Sequence, residues 1–157
     1  MSEKRSYYIA YGSNLSEEQM AYRCPDARIA GMAALWDWQL VFKVHADIVP
    51  SEGSVVPVLI WEISERDEQH LDAYEGYPSY YTKRVLDVTM TDFKGKNPKE
   101  IQAMVYVMTD LHNKLFPPMK GYYDVLAKGY ERFGFNQTML RNALREARES
   151  AERGTAF

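Results

Sequence analysis

Two short segments combine residue types that could bind and transform a small molecule. The first is Tyr11-Gly12-Ser13-Asn14-Leu15, at the junction between a predicted strand and a predicted helix. Backbone N–H groups at such a junction lie at the positive end of a helix dipole and can bind an anion. Ser13 and Asn14 add side-chain donors, and Gly12 lets a ligand approach the backbone. The residues alone also fit an ordinary strand-to-helix turn.

The second segment carries an acidic residue, Glu75, before Gly76 at the expected end of a helix. The negative end of the helix dipole disfavours an ionised carboxylate there, and neighbouring tyrosine rings can exclude water. Both effects would raise the pKa of Glu75, so that it could accept and return a proton near neutral pH. Read alone, the segment fits a solvent-facing Glu beside a helix-stopping Gly better than it fits an acid–base group. The neighbouring tyrosines are Tyr74, Tyr77, Tyr80 and Tyr81.

Other reactive residue types carry weaker signals. Cys24 precedes a proline without a nearby His, and we interpret it as an inert thiol. None of the three histidines, His45, His70 and His112, has a partner at helical spacing, so a zinc site is not expected. Glu62 is interpreted as an exposed strand residue. Motifs for dinucleotides or nucleoside triphosphates are absent from the sequence.

Alternating and helical hydrophobic patterns predict the elements that must position these segments. We interpret residues 49–54 and 92–98 as turn or loop segments. The predicted fold is α+β, with a mixed, strongly curved or barrel-like sheet and helices at its ends and on one face. Strands are predicted at 5–11, 29–35, 39–45, 55–63, 80–91 and 101–108, and helices at 16–24, 65–74, 120–133 and 137–153.

The amino-acid composition limits the classes of function that the chain can have. The chain has 157 residues, 46% of them hydrophobic, and a formal net charge of −3, which predicts one domain over residues 1–157 ending in the helix at about 137–153. Lys and Arg form no stripe, so nucleic acid is not an expected partner. Without an apolar run of about 20 residues, we predict no membrane span and a cytoplasmic location. Whether the protein is a monomer or a homodimer stays open.

Four segments form a joint pattern in the order Tyr11-Gly12-Ser13-Asn14-Leu15, Leu71-Asp72-x-x-Glu75-Gly76-x-Pro78-x-x-Tyr81, Ala103-x-Val105-Tyr106-Val107, and Tyr122 with Gly129 seven residues later. The pairing of the first two segments is more specific than either one. Taken together, the four segments resemble the gamma-glutamyl cyclotransferase-like superfamily over about residues 6 to 135. Where family members often carry Pro-Ser, this chain has Pro118-Met119.

The resemblance implies an enzyme that releases 5-oxoproline from a γ-glutamyl amino acid or γ-glutamyl amine without a metal or organic cofactor. It implies that Glu75 is the general acid and base and that the segment 11–15 binds the α-carboxylate of the substrate. Tyr122 would help to close the pocket. The substrate-binding set predicted in this way is Tyr11, Gly12, Ser13, Asn14, Leu15, Tyr81 and Tyr122.

The chemistry of the residues agrees with this implication, because a γ-glutamyl amide contains both its nucleophilic amine and its electrophilic carbonyl. The enzyme must fold the substrate and move protons. Backbone N–H groups of the turn or a tyrosine hydroxyl could stabilise the oxyanion. Two alternatives remain open at this stage: a non-catalytic module that binds a small acid, and a tailoring enzyme that removes a γ-glutamyl group from a larger amine.

Overall fold

A computed structural model of the chain describes residues 4–111 and 113–154. His112 lies outside the described residues. A short 3-10 turn, Ser13–Leu15, precedes the first α-helix. The described residues form β1 (Arg5–Ala10), α1 (Glu17–Arg23), β2 (Arg28–Lys43), β3 (His45–Ser64), α2 (Glu65–Glu75), β4 (Tyr81–Met90), β5 (Lys99–Met108), α3 (Lys120–Phe133) and α4 (Thr138–Gly154).

The five strands form one mixed sheet in the order β2-β3-β1-β5-β4. β1 and β5 are parallel, and every other neighbouring pair is antiparallel. The two edges of the sheet meet where the backbones of Met32 and Thr91 exchange hydrogen bonds of 3.0 and 2.9 Å. A Cβ on Gly31 would lie 2.4 Å from the carbonyl oxygen of Thr91, so only glycine permits this approach. The predicted curved, mixed α+β fold is confirmed.

The three strands predicted between residues 29 and 63 are wrong in number. They form one long hairpin, β2 and β3, that turns at Val44 (φ 70°). The predicted break near residue 37 is a β-bulge, where Asp37 (φ 68°) shifts the register and its Oδ1 accepts from the N–H of Gly53 at 3.0 Å. The predicted turn at 49–54 therefore lies inside β3, because part of its backbone pairs with β2 across the bulge.

Local sequence signals place the helices around the predicted site. Ser64 and Asp67 form a reciprocal capping box that begins α2, and the left-handed Gly76 (φ 65°) ends it after Glu75. The side chain of Ser16 accepts from the N–H of Gln19 and caps α1. These ends agree with the predicted ones within a residue or two.

The remaining two helices cover the sheet and the turn at Ser13–Leu15. α4 packs against β2 through the buried Leu140, Ala143 and Ala147. α3 lies close to the turn because Gly129 faces it, and a Cβ at Gly129 would lie 2.6 Å from the Cβ of Leu15. Within the described residues, no helix is long and apolar enough to cross a membrane.

Candidate active site

A cavity of about 210 Å³ lies where β1 ends. It brings the turn after β1 next to the end of α2, although the two segments are far apart in the sequence. Most of the other lining side chains are aromatic. The cavity is lined by Tyr8, Ile9, Tyr11, Gly12, Ser13, Asn14, His45, Ala46, Tyr74, Glu75, Tyr80, Tyr81, Tyr106 and Tyr122.

The turn that follows β1 contributes Gly12, Ser13 and Asn14 to the wall of this cavity. Gly12 stands at the N-cap of the 3-10 turn Ser13–Leu15, and the first N–H groups of such a turn have no acceptor within it. The indole N–H of Trp61 donates to the carbonyl oxygen of Asn14 at 2.9 Å and anchors the turn on β3. A Cβ at Gly12 would lie 3.3 Å from the hydroxyl of Tyr122. The absence of a side chain at Gly12 therefore keeps the cavity open.

Leu15 is the one predicted binding residue that does not line the cavity. Its side chain is buried and packs against Gly129 of α3. Its N–H donates to the carbonyl oxygen of Gly12 at 3.0 Å, so this N–H is engaged within the turn. In this placement Leu15 supports the turn from outside the cavity.

Glu75 ends α2 and lies half-buried in the cavity wall. Burial raises the pKa of Glu75 to about 7, and the positive charge of Arg23 acts in the opposite direction. The direction agrees with the predicted one, and its main cause is loss of water around the carboxylate. Glu75 can therefore exist in both protonation states near neutral pH, as an acid–base group requires.

Two of the predicted tyrosines use their hydroxyl protons within the protein. The hydroxyl of Tyr11 donates to the carbonyl oxygen of Tyr106, and that of Tyr81 donates to the carbonyl oxygen of Ala46, each at 2.7 Å. Burial raises the pKa of both phenols, so they remain neutral. Tyr11 and Tyr81 therefore brace the cavity wall with their protons already engaged.

Tyr122 has the opposite polarity. Its oxygen accepts a hydrogen bond from the N–H of Ala46 at 3.0 Å, which leaves the phenolic proton for another acceptor. Burial raises its pKa, so the proton stays on the oxygen. Tyr122 is thus a hydrogen-bond donor at the cavity.

The sequence did not single out several residues that the fold brings to the cavity. His45 follows the hairpin turn, with its Nδ1 2.9 Å from the Tyr80 hydroxyl and its ring 5.1 Å from that of Tyr122. Tyr8 lines the cavity from β1. Their positions depend on strand pairing, and no local motif marks them. In the described part of the chain, no group of three or more His, Cys, Asp or Glu residues is arranged to hold a metal ion.

The remaining reactive groups identified in the sequence lie elsewhere. Cys24 is buried, and burial raises its pKa to about 12, which matches the interpretation of an inert thiol. Glu62 forms an ion pair with Arg28 at 3.4 Å on the surface. His70 lies on α2, and its Nδ1 is 3.0 Å from the carbonyl oxygen of Arg23.

Comparison with known proteins identifies the family of this fold and cavity. The family described as Gamma-glutamyl cyclotransferase, AIG2-like, matches residues 8–125. This chain belongs to that family. The predicted family and the prediction of a cyclotransferase enzyme are therefore confirmed, and the alternative of a non-catalytic module is set aside.

Individual relatives support the same assignment over most of their length. The mouse protein named gamma-glutamylcyclotransferase is 31% identical over 143 residues, which cover 83% of this chain and 72% of the relative. The human protein of the same name is 30% identical over 145 residues, covering 84% and 73%. A solved structure named gamma-glutamyl cyclotransferase superposes with a TM-score of 0.75 at 26% identity, covering 89% of this chain and 86% of its own.

Proposed function

We propose that this cyclotransferase releases 5-oxoproline from a small γ-glutamyl substrate, with Glu75 as the general acid and base. One observation carries the proposal: Glu75, whose pKa is raised to about 7, lines the same cavity as the turn at Gly12 to Asn14. A γ-glutamyl group carries an anionic α-carboxylate beside an amine that must lose a proton before it can attack. The cavity offers a group suited to each requirement.

The turn would bind the substrate by its α-carboxylate. Backbone N–H groups of Gly12, Ser13 and Asn14 point out of the start of the 3-10 turn and are suited to an anion. Fixing this end leaves the γ-glutamyl chain to fold back within the cavity. Holding the amine against the γ-carbonyl in this way supplies much of the acceleration expected for a ring closure.

Glu75 would then move one proton in each direction. Its carboxylate accepts a proton from the α-ammonium group, and the freed amine nitrogen forms a bond to the γ-carbon. The tetrahedral intermediate collapses as the bond from the γ-carbon to the leaving nitrogen breaks, and Glu75 returns its proton to that nitrogen. The second proton that the attacking nitrogen must lose also passes to the departing amine. The products are therefore 5-oxoproline and an ammonium group on the released amine, and no co-reactant is needed.

Tyr122 would donate a hydrogen bond to the substrate. Because its oxygen already accepts from Ala46, its proton can be directed at the γ-carbonyl oxygen, where negative charge develops. Tyr11 and Tyr81 would shape the pocket, since both donate to backbone carbonyl groups.

The exchange Glu75→Gln tests the proposal. It keeps the size of the side chain but removes its acid–base function, so release of 5-oxoproline from γ-glutamyl dipeptides should fall about 10²–10⁴-fold. Glu65→Gln, at the exposed start of the same helix, is the matched control and should behave like wild type. A Glu75→Gln variant as active as wild type would exclude Glu75 as the acid–base group.

A substrate panel would define the leaving group. We propose a small γ-glutamyl amino acid or γ-glutamyl amine, because the cavity of about 210 Å³ accommodates little more than the γ-glutamyl group and a small substituent. Wild-type kcat/KM should therefore be higher for small dipeptides than for bulky γ-glutamyl amides. The reverse order would instead support a tailoring enzyme that acts on a larger amine.

A further inference from the structure

The side chain of Asn14 lies between two polar partners beside the cavity. Nη1 of Arg23 donates to Oδ1 of Asn14 at 2.6 Å and to the Ser13 hydroxyl oxygen at 3.2 Å. Nδ2 of Asn14 donates to the hydroxyl oxygen of Tyr8 at 2.9 Å. Asn14 is 2% exposed and Tyr8 is 4% exposed. Water therefore competes little for these hydrogen bonds.

The chemistry of these groups determines which atom donates and which accepts in each of the hydrogen bonds. A guanidinium group only donates, so the oxygen of the Asn14 amide must face Arg23. The NH₂ group of Asn14 then faces Tyr8 and also only donates, so the Tyr8 oxygen accepts. The single proton of Tyr8 is left for another acceptor, and Tyr8 lines the cavity. Burial and the nearby Glu75 raise the pKa of Tyr8, which keeps that proton in place.

Arg23 is itself held in place at the end of α1. Its guanidinium carbon lies 3.5 Å from the centroid of the Tyr74 ring, next to Glu75 in the sequence. Its carbonyl oxygen is 3.0 Å from Nδ1 of His70. These contacts join α1 to α2, so the cation that orients Asn14 is fixed relative to the helix that carries Glu75.

We propose that Arg23, Asn14 and Tyr8 form a directional hydrogen-bond relay that presents the Tyr8 hydroxyl as a donor to an oxygen of the substrate. Tyr8 touches the substrate, and Arg23 is a positioning residue that acts through Asn14. The inference rests on the proposed function. It adds a second hydrogen-bond donor to the substrate besides Tyr122, and this donor comes from β1 instead of α3.

A double-mutant cycle tests the relay. Tyr8→Phe removes the donor, and Arg23→Gln removes the donor-only cation that orients the Asn14 amide. Each should lower kcat/KM for 5-oxoproline release about 10- to 100-fold, the range for a hydrogen bond to a charged group. When kcat/KM is measured at about pH 9, where Glu75 is ionised in every variant, the double variant should be no worse than Tyr8→Phe alone. Losses that multiply would overturn the relay, because they would show that the two residues act independently.

Two further variants distinguish an effect of hydrogen-bond direction from an effect of side-chain packing. Lysine also only donates, so Arg23→Lys should restore most of the activity lost in Arg23→Gln. Asn14→Asp keeps the contact with Arg23 but offers only acceptors, so Tyr8 must donate to it, and kcat/KM should fall at least as far as in Tyr8→Phe. An active Asn14→Asp variant, or an Arg23→Lys variant as impaired as Arg23→Gln, would overturn the relay.

The controls distinguish failure of the relay from other failures. Arg132→Gln changes an exposed arginine on α3 and should leave kcat/KM unchanged. Thermal unfolding of each variant identifies any loss of folding. Among the variants that fold, the kcat/KM values of Arg23→Lys and Asn14→Asp then decide whether the relay exists. If wild type releases no 5-oxoproline, the proposed function itself fails. An active wild type with multiplying losses removes only the relay.

Discussion

The burial of Glu75 is the central feature at the scale of single residues, because the loss of water that makes the carboxyl group useful also makes it costly. The half-buried carboxyl group has a pKa of about 7 in the folded protein, against 4.5 for an ordinary Glu. The same shift should therefore be visible both in the reaction and in the stability of the fold.

The pH dependence of the reaction should follow Glu75. Because its carboxylate must be ionised to accept the first proton, kcat/KM should rise with pH, with a midpoint near pH 7. Arg23 lowers the pKa of Glu75, so Arg23→Gln should move the midpoint upward. Profiles of kcat/KM from about pH 5 to pH 9 test both statements. A midpoint that moves downward in Arg23→Gln would contradict them.

Stability should change with pH in the opposite sense. The folded pKa lies above the unfolded one, so the contribution of Glu75 to stability is full below about pH 4.5 and is lost as pH rises through 7. The loss amounts to at most about 3 kcal/mol. Glu75→Gln should therefore unfold at a higher temperature than wild type at pH 8 and gain little at pH 5. Thermal unfolding of Glu65→Gln should show no such gain, and an equal gain there would point to a general charge effect.

Single residues also mark the limit of what the sequence predicts about the site. Glu75 and the turn at Gly12 were identified because each combines an unusual residue type with a helix end. Tyr8 was missed, since nothing local distinguishes it among 12 tyrosines. Arg23 was missed because its hydrogen bonds to the turn depend on how α1 folds back.

At the scale of helices and strands, the predicted bounds agree with the observed ones where a local sequence signal ends the element. The capping box at Ser64 and the left-handed Gly76 define α2 by contacts within a few residues, so its predicted bounds agree closely with the observed ones. No comparable local signal sets the bounds of β2 and β3. Asp37 forms a bulge and Gly53 lies within a strand because of partners across the hairpin, which the sequence does not reveal.

At the same scale, the contact between α3 and the turn Ser13–Leu15 positions Tyr122, which lies on α3. A Cβ at Gly129 would lie 2.6 Å from the Cβ of Leu15, so Gly129→Ala should displace α3 and cost about 1–3 kcal/mol of unfolding free energy. Release of 5-oxoproline should fall as well, because Tyr122 lies on the same helix. Thermal unfolding and steady-state kinetics measure the two effects.

Gly121→Ala is the matched control on α3. Nothing lies within 4 Å of a Cβ at Gly121, and alanine has the higher helix propensity, so this variant should be as stable as wild type or more so. If Gly129→Ala were equally stable and active, close packing of α3 on the turn would not be what positions Tyr122.

At the scale of the whole molecule, closure of the sheet was predictable but its mechanism was not. Six predicted strands separated by short helices favoured a curved sheet. The sequence could not indicate that Gly31 and Thr91 would meet, since 60 residues separate them and the contact exists only after all five strands have paired. The closing contact joins β2 to Thr91, the residue that follows β4, so it links the two edges of the sheet and reports on the complete sheet.

Gly31→Ala should open this edge contact. The added Cβ would lie 2.4 Å from the carbonyl oxygen of Thr91, and a backbone atom cannot move aside as the end of a flexible side chain can. The melting temperature should fall, and the amides of Met32 and Thr91, which bond across the edge, should exchange with solvent faster. Ala34→Val, which adds volume at an exposed position of β2, should do neither. Protected Met32 and Thr91 amides in a folded Gly31→Ala variant would mean that this contact does not close the sheet.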